Sequence, residues 1–142
     1  MNALHLPANL ARQIEREGAK AYPNECCGIL IGGEKDGKRT VERLEAVENA
    51  YDAAEQYHRF SISPETLMRV DRVAGKEGKL VLGFYHSHPD HPARPSETDR
   101  QAAWPFYSYV IVSIAQRKPV DMTSWLLDEE TSLFRRQDIE ET

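Results

Sequence analysis

Two histidines, a serine and an aspartate fall close together in this chain, as His86-Ser87-His88-Pro89 followed by Ser96 and Asp99. Imidazoles and carboxylates are the usual protein ligands of a catalytic zinc. Such an ion takes about three of them and leaves a further position to water, whose pKa falls to about 7. His86, His88 and Asp99 supply that set. The activated water also needs a carboxylate that is not itself a ligand to carry its proton, and Glu25 is the candidate. Each element has a plainer reading beside it. A His-x-His pair occurs without metal, Ser96-x-x-Asp99 has the form of a helix capping box, and Glu25 alone reads as an exposed charge between a helix and a strand. For Asp99 the two readings compete, because a carboxylate committed to a metal is poorly placed to reach back to the first helix amide.

The elements around these residues are expected to present them together. Leu80-Val81-Leu82-Gly83-Phe84-Tyr85 is mostly apolar and reads as a buried strand carrying His86 and His88 out at its end. Residues i and i+2 of a strand share a face, so both rings point the same way. Pro89 has no amide to donate to a ladder and ends the strand. A loop stiffened by Pro92 and Pro95 then leads into a helix from Ser96 to Trp104, on which Asp99 swings back toward the imidazoles. Upstream, the spacing of Leu6, Leu10, Ile14 and Ala21 predicts an amphipathic helix, with Pro7 in its first turn. Residues 26 to 32 form an apolar strand, 34 to 38 a turn, and Thr40 to Val47 the second arm of a hairpin. A short strand over Arg59 to Ile62 precedes a helix capped by Ser63, with Pro64 at its first position, running to about Lys76. Tyr107 to Ala115, Met122 to Asp128 and Ser132 to Arg136 complete an alternating α/β pattern.

The joint occurrence of these residues resembles the JAMM motif of the MPN-plus metallopeptidases, a glutamate at the start of a strand, then His-x-His-Pro, seven residues, Ser, two residues and Asp. Glu25 to Gly32 resembles the first strand of the small bacterial members and Val47-Glu48-Asn49-Ala50 their second. The likeness runs from about Tyr22 to Phe134. It implies an α/β fold of the JAB1/MPN type, similar to that of cytidine deaminases, with a mostly mixed central sheet flanked by helices. It also implies one zinc per chain on His86, His88 and Asp99, Glu25 as general acid/base, and Ser96 as a hydroxyl that hydrogen-bonds the oxyanion. The implied reaction is hydrolysis of a peptide or isopeptide bond, with Glu25 delivering a proton to the departing amine. The small members that this chain resembles process the C-terminal tail of a ubiquitin-like sulfur-carrier protein, and that tail is the expected partner. The alternative is a protein-binding module, since MPN domains without the metal residues serve as dimerisation partners. A homodimer is compatible with either reading. Deamination would want His-x-Glu with Pro-Cys-x-x-Cys, and a zincin His-Glu-x-x-His; neither occurs.

Composition agrees with a compact enzyme. A length of 142 residues fits one domain spanning 1–142. A formal net charge of -5, without a Lys/Arg stripe, argues against nucleic acid as a partner. The first residues lack a basic-then-apolar leader, and the longest uncharged run, Gln101 to Gln116, is too short and too polar for a membrane helix, so a cytoplasmic protein without a membrane partner is expected. Cys26 and Cys27 are adjacent on a strand and point to opposite faces, which excludes a disulfide between them and suggests buried small residues. His91 reads as an exposed loop residue, His5 and His58 have no ligand spacing, and the acidic end Asp138 to Thr142 reads as ordinary surface. Arg94, between the ligand segments, is a candidate for holding a substrate carboxylate.

Overall fold

The computed structural model describes residues 3–142. Eight strands form one mixed sheet in the order β7-β6-β5-β4-β2-β3-β1-β8. In chain order they are β1 (Leu4–Leu6), β2 (Cys27–Lys35), β3 (Lys38–Val47), β4 (Leu80–Pro89), β5 (Ser108–Ala115), β6 (Lys118–Leu127), β7 (Phe134–Gln137) and β8 (Ile139–Glu141). Three helices interrupt them: α1 (Ala8–Ala21), α2 (Pro64–Lys76) and the short α3 (Glu97–Ala102). β4 runs antiparallel to β2 and parallel to β5, while β1 is parallel to both β3 and β8.

Alternation along the strands divides the core into two layers. Leu30 and Leu82 pack with Leu10, Ala11 and Ile14 of α1. Ile29, Ile31, Val81 and Phe84 pack with Val70 and Ala74 of α2 on the other face. The register between β2 and β4 shifts at Leu30/Ile31, where Leu30 opposes Gly83 and Ile31 opposes Val81. Leu82 is therefore an extra residue, a bulge that reaims the rest of the strand. Beyond it, Tyr85 joins the α1 layer, whereas Phe84 joins the α2 layer. His86 and His88 follow Phe84 on the α2 side.

The close fit of β2 to β4 depends on Gly28. A Cβ built there would lie 2.1 Å from Cζ of Tyr85. The Tyr85 ring has nowhere to go, because it is fully buried and its hydroxyl donates to Glu17 Oε1 at 2.5 Å. Gly28→Ala is accordingly expected to lower stability by about 3 kcal/mol and Tm by about 10 °C, read by thermal denaturation of the metal-free protein.

Several boundaries differ from expectation. Leu6, expected to open the first helix, instead ends the strand Leu4–Leu6, in which Leu4 and Leu6 are buried and His5 lies between them; Pro7 sits just before the helix rather than inside it. The expected 34 to 38 turn contracts to Asp36-Gly37, both at positive φ (54° and 77°), as a two-residue hairpin requires. The acidic end is not free surface, since Ile139–Glu141 pairs with β1 and Glu141 meets Arg12 at 3.0 Å. The α3 helix is shorter than expected, β6 starts four residues earlier at Lys118, and the last expected strand shifts to Phe134–Gln137. Arg59 to Ile62 belongs to no ladder; the side chain of Asn49 bonds the Arg59 carbonyl and the Ser61 amide, and the Ala50 amide donates to the Ser61 carbonyl at 2.8 Å.

Candidate metal centre

The strand that carries His86 and His88 is held from both sides. His86 pairs with Cys27 of β2 and with Ile111 of β5, and His88 with Ser113 of β5. Between them Ser87 points the opposite way, as alternation demands, and its Oγ accepts from the Cys26 amide at 2.8 Å. The Ser87 amide in turn donates to the Cys26 carbonyl at 3.2 Å. These bonds fix the end of β4 against the start of β2, where Glu25 lies. Both histidines lie at the end of the strand, which stops at Pro89 as expected.

Asp99 arrives from α3. The side chain of Ser96 accepts from the Asp99 amide at 3.0 Å, and Asp99 Oδ2 accepts from the Ser96 amide at 2.9 Å, a complete capping box. The same Oδ2 lies 3.3 Å from His86 Nε2 and 3.1 Å from His88 Nε2. The cap and the cluster thus share one carboxylate instead of competing for it, which corrects the sequence reading. A carboxylate oxygen has more than one lone pair and can accept from more than one donor.

The three ligand atoms form a nearly equilateral triangle, the third side being 3.1 Å between the two Nε2 atoms. Tetrahedral bonds of about 2.0 to 2.1 Å would set ligand atoms about 3.3 Å apart, so the triangle has the size of one face of a zinc tetrahedron. Tautomers support the fit. His88 Nδ1 lies 2.8 Å from the Pro92 carbonyl, which can only accept, so the proton sits on Nδ1 and the Nε2 lone pair faces the cluster. The His88 lone pair and the Asp99 carboxylate converging on one point repel each other unless a proton or a cation lies between them. The residues present fit a divalent metal.

Electrostatics sharpen this picture. Burial holds His86 below the usual imidazole pKa against the opposing pull of Asp99, which keeps its ring neutral, as a ligand must be. Burial also opposes charge on His88, but there the contacts to Asp99 and Pro92 win and its pKa rises. For Asp99, burial is outweighed by His86, His88 and the Ser96 amide, so its carboxyl is held well below the ordinary carboxylate range. Glu25 behaves oppositely. Burial pushes it up to about 8, with His88 pulling down and Asp99 pushing up. Glu25 is 6% exposed and its Oε1 has no hydrogen-bond partner among the described residues. It is no surface charge; it is a buried carboxyl within electrostatic reach of the cluster.

A largely apolar groove of about 660 Å³ opens beside the cluster. His86 and Asp99 form part of its wall, with Phe60, Trp104, Phe106 and Tyr107 among the aromatic residues around them. Sequence reading did not single out these rings, which are scattered over two loops. Other residues fall as expected. Cys26 and Cys27 are free thiols, raised by burial to about 11 and about 12, and Cys27 is fully buried while Cys26 is half-buried. His91 and Arg94 are exposed.

The family of prokaryotic homologs of the JAB domain matches residues 7–128. The chain belongs to that family. Among curated relatives, a desampylase from Haloferax volcanii is 41% identical over 69% of this chain and 69% of its own length. A CysO-cysteine peptidase from Mycobacterium tuberculosis is 30% identical over 78% of this chain and 73% of its own. Tail tip assembly protein K of Escherichia phage N15 is 36% identical over 61% of this chain, which spans only 31% of that longer protein. Among solved structures, a Desulfitobacterium hafniense protein superposes with a TM-score of 0.84 at 30% identity, over 98% of this chain and 92% of its own. A JAB1/MPN domain protein from Archaeoglobus fulgidus shares the fold, with a TM-score of 0.60 at 19% identity over 97% and 98% of the two chains. The JAB/MPN type of α/β fold, with a mixed sheet and few helices, is therefore the one expected from sequence.

Proposed function

We propose that this chain is a zinc-dependent peptidase acting, as one domain, on the C-terminal tail of a ubiquitin-like sulfur-carrier protein. The observation that carries the reading is the size and polarity of the His86, His88 and Asp99 triangle, set beside a buried carboxyl that is not part of it. A bound zinc ion would supply a Lewis acid and an acidified water at the open position. His86, His88 and Asp99 would hold it. Glu25 takes one water proton as the water oxygen bonds to the scissile carbonyl carbon, then passes that proton to the nitrogen as the C–N bond breaks, leaving a carboxylic acid and an amine, which become carboxylate and ammonium when the acid's own proton moves to the amine. Burial raises the Glu25 carboxyl from the ordinary carboxylate range toward neutrality, where its ionised form can take a proton and its protonated form can return it. Ser96 already accepts from the Asp99 amide, so its own O–H remains to donate to the oxyanion.

The substrate assignment is supported by the relatives named desampylase and CysO-cysteine peptidase and by the largely apolar groove beside the cluster. No helix among the described residues is long and apolar enough to cross a membrane. The two free thiols are consistent with the reducing cytoplasm, where we place the protein. A second copy of the chain is a further expected partner, which sedimentation velocity would detect.

The deciding experiment incubates the zinc-loaded protein with a ubiquitin-like carrier bearing a C-terminal extension and follows the mass of the carrier. Cleavage at the tail, abolished by chelation and restored by zinc, is expected; an intact carrier in the presence of stoichiometric zinc refutes the reading. Ser96→Ala is expected to lower kcat about 100-fold while retaining zinc, because it removes an oxyanion donor. The same change should cost about 1 kcal/mol of stability through the lost cap, measured separately by denaturant titration.

A further inference from the structure

Metal-bound histidines are normally oriented by a hydrogen bond from the nitrogen that faces away from the metal. His88 has such a bond, to the Pro92 carbonyl. His86 has none, for its Nδ1 is buried without a partner among the described residues. What meets this ring instead is Phe60, stacked on it with centroids 4.3 Å apart and planes 23° from parallel. Phe60 lies on the Arg59 to Ile62 segment, which has no neighbouring strand to fix it.

Asn49 fixes that segment. Its Oδ1 accepts from the amides of Tyr51 at 3.0 Å and Ser61 at 3.1 Å. Its Nδ2 donates to the carbonyl of Arg59 at 2.9 Å and, more weakly, to that of Glu25 at 3.5 Å. One carboxamide thereby clamps the residues on either side of Phe60 and touches the backbone of the proposed proton carrier. Gln56 closes the loop behind it, donating to the carbonyls of Asn49 and Tyr51 at 3.2 and 2.7 Å while its own carbonyl accepts from the Glu25 amide at 2.8 Å. Arg59 is held too, through Nη1 to the Tyr51 hydroxyl at 2.9 Å.

We infer that Asn49 is a positioning residue of the hydrolytic centre, which clamps the Arg59–Ser61 segment to Glu25 so that Phe60 orients the His86 ring by stacking. This inference rests on the proposed metal site. Aromatic packing here does for His86 what a hydrogen bond does for His88, and it leaves the His86 ring dependent on a loop rather than on a fixed acceptor. A polar side chain that bonded only its own loop would have no reach to Glu25 or to the ligand ring.

The test replaces zinc by cobalt and compares Asn49→Ala and Phe60→Leu with the parent. Phe60→Leu leaves the clamp's backbone partners in place and removes only the stacked ring, so it remains informative if Asn49→Ala fails to fold. In both folded variants the cobalt d–d bands should shift and cobalt affinity fall by about 10-fold. With zinc, kcat should fall by about 10- to 100-fold and KM by less than threefold. Variants that lose thermal stability but keep the parent cobalt spectrum, affinity and kcat would reduce Asn49 to a structural residue and overturn the inference. The cobalt readout does not require turnover, so failure of the parent to cleave a carrier tail would strike the function while leaving the positioning role to be decided by the spectrum.

Discussion

Glu25→Gln is expected to keep its full complement of zinc and to lose at least about 100-fold in kcat, the usual worth of a positioned acid/base. The carboxamide has nearly the same shape and is not one of the three converging ligands, so metal analysis should not distinguish variant from parent. A second consequence follows from the same burial. The folded carboxyl titrates at about 8, whereas its ordinary value is 4.5. As pH rises from 4.5 to 8 the unfolded chain releases a proton that the folded chain retains, so this group removes stability, by up to about 1.4 kcal/mol per pH unit. Below 4.5 both states hold the proton and the penalty vanishes. Replacing Glu25 by Gln abolishes it. Metal-free Glu25→Gln should therefore match the parent near pH 4 and exceed it by a few kcal/mol at pH 8. Urea titrations at the two pH values would check this; equal stabilities at pH 8 would show that the buried carboxyl carries no strain.

Removing Asp99 should act in the opposite way. Asp99→Ala deletes one vertex of the triangle and one half of the capping box, so the variant should bind no zinc at micromolar ion and show no peptidase activity. The loss is also visible without substrate. Zinc at about 100 times its dissociation constant stabilises a folded protein that binds it by about 2.7 kcal/mol, so Tm of the parent should rise on zinc addition while that of the variant stays flat. A zinc-dependent rise in the variant equal to that of the parent would mean that the ion binds elsewhere.

Much of this centre was legible in the residues because its parts are short-range. His86 and His88 share a face by strand geometry alone, and Ser96 with Asp99 spell a helix start whatever else they do. Glu25 was a candidate on chemistry and was supported by resemblance, but its burial could not be read from its neighbours in sequence, since Asn49 and Gln56, which bond its backbone, lie in the loop after β3. The strand at Leu4 to Leu6 was hidden because two leucines and a histidine fit a helix face as well as a strand; the arbiter is pairing with residues more than a hundred positions away in β8. Asn49 was visible only as part of a strand-like motif. That its side chain bonds the Arg59–Ser61 segment, and that Phe60 is thereby delivered to His86, depends on contacts across the sheet end that no local pattern encodes. The capping box misled in an instructive way, because it was read as exclusive when one oxygen serves both ends.

The strand that bears the two imidazoles has bonded neighbours along both of its edges, and its backbone is part of the core rather than of a loop. Two of the three grips on the ion are thus paid into the fold before any ion arrives, and only the third comes on a separate six-residue helix. Such a socket is finished by folding and then loaded, unlike small domains that collapse around their metal. On the proposed reading, stripping the ion should silence the protein without unmaking it, so supply of metal would govern its activity reversibly while the amount of folded protein stays constant.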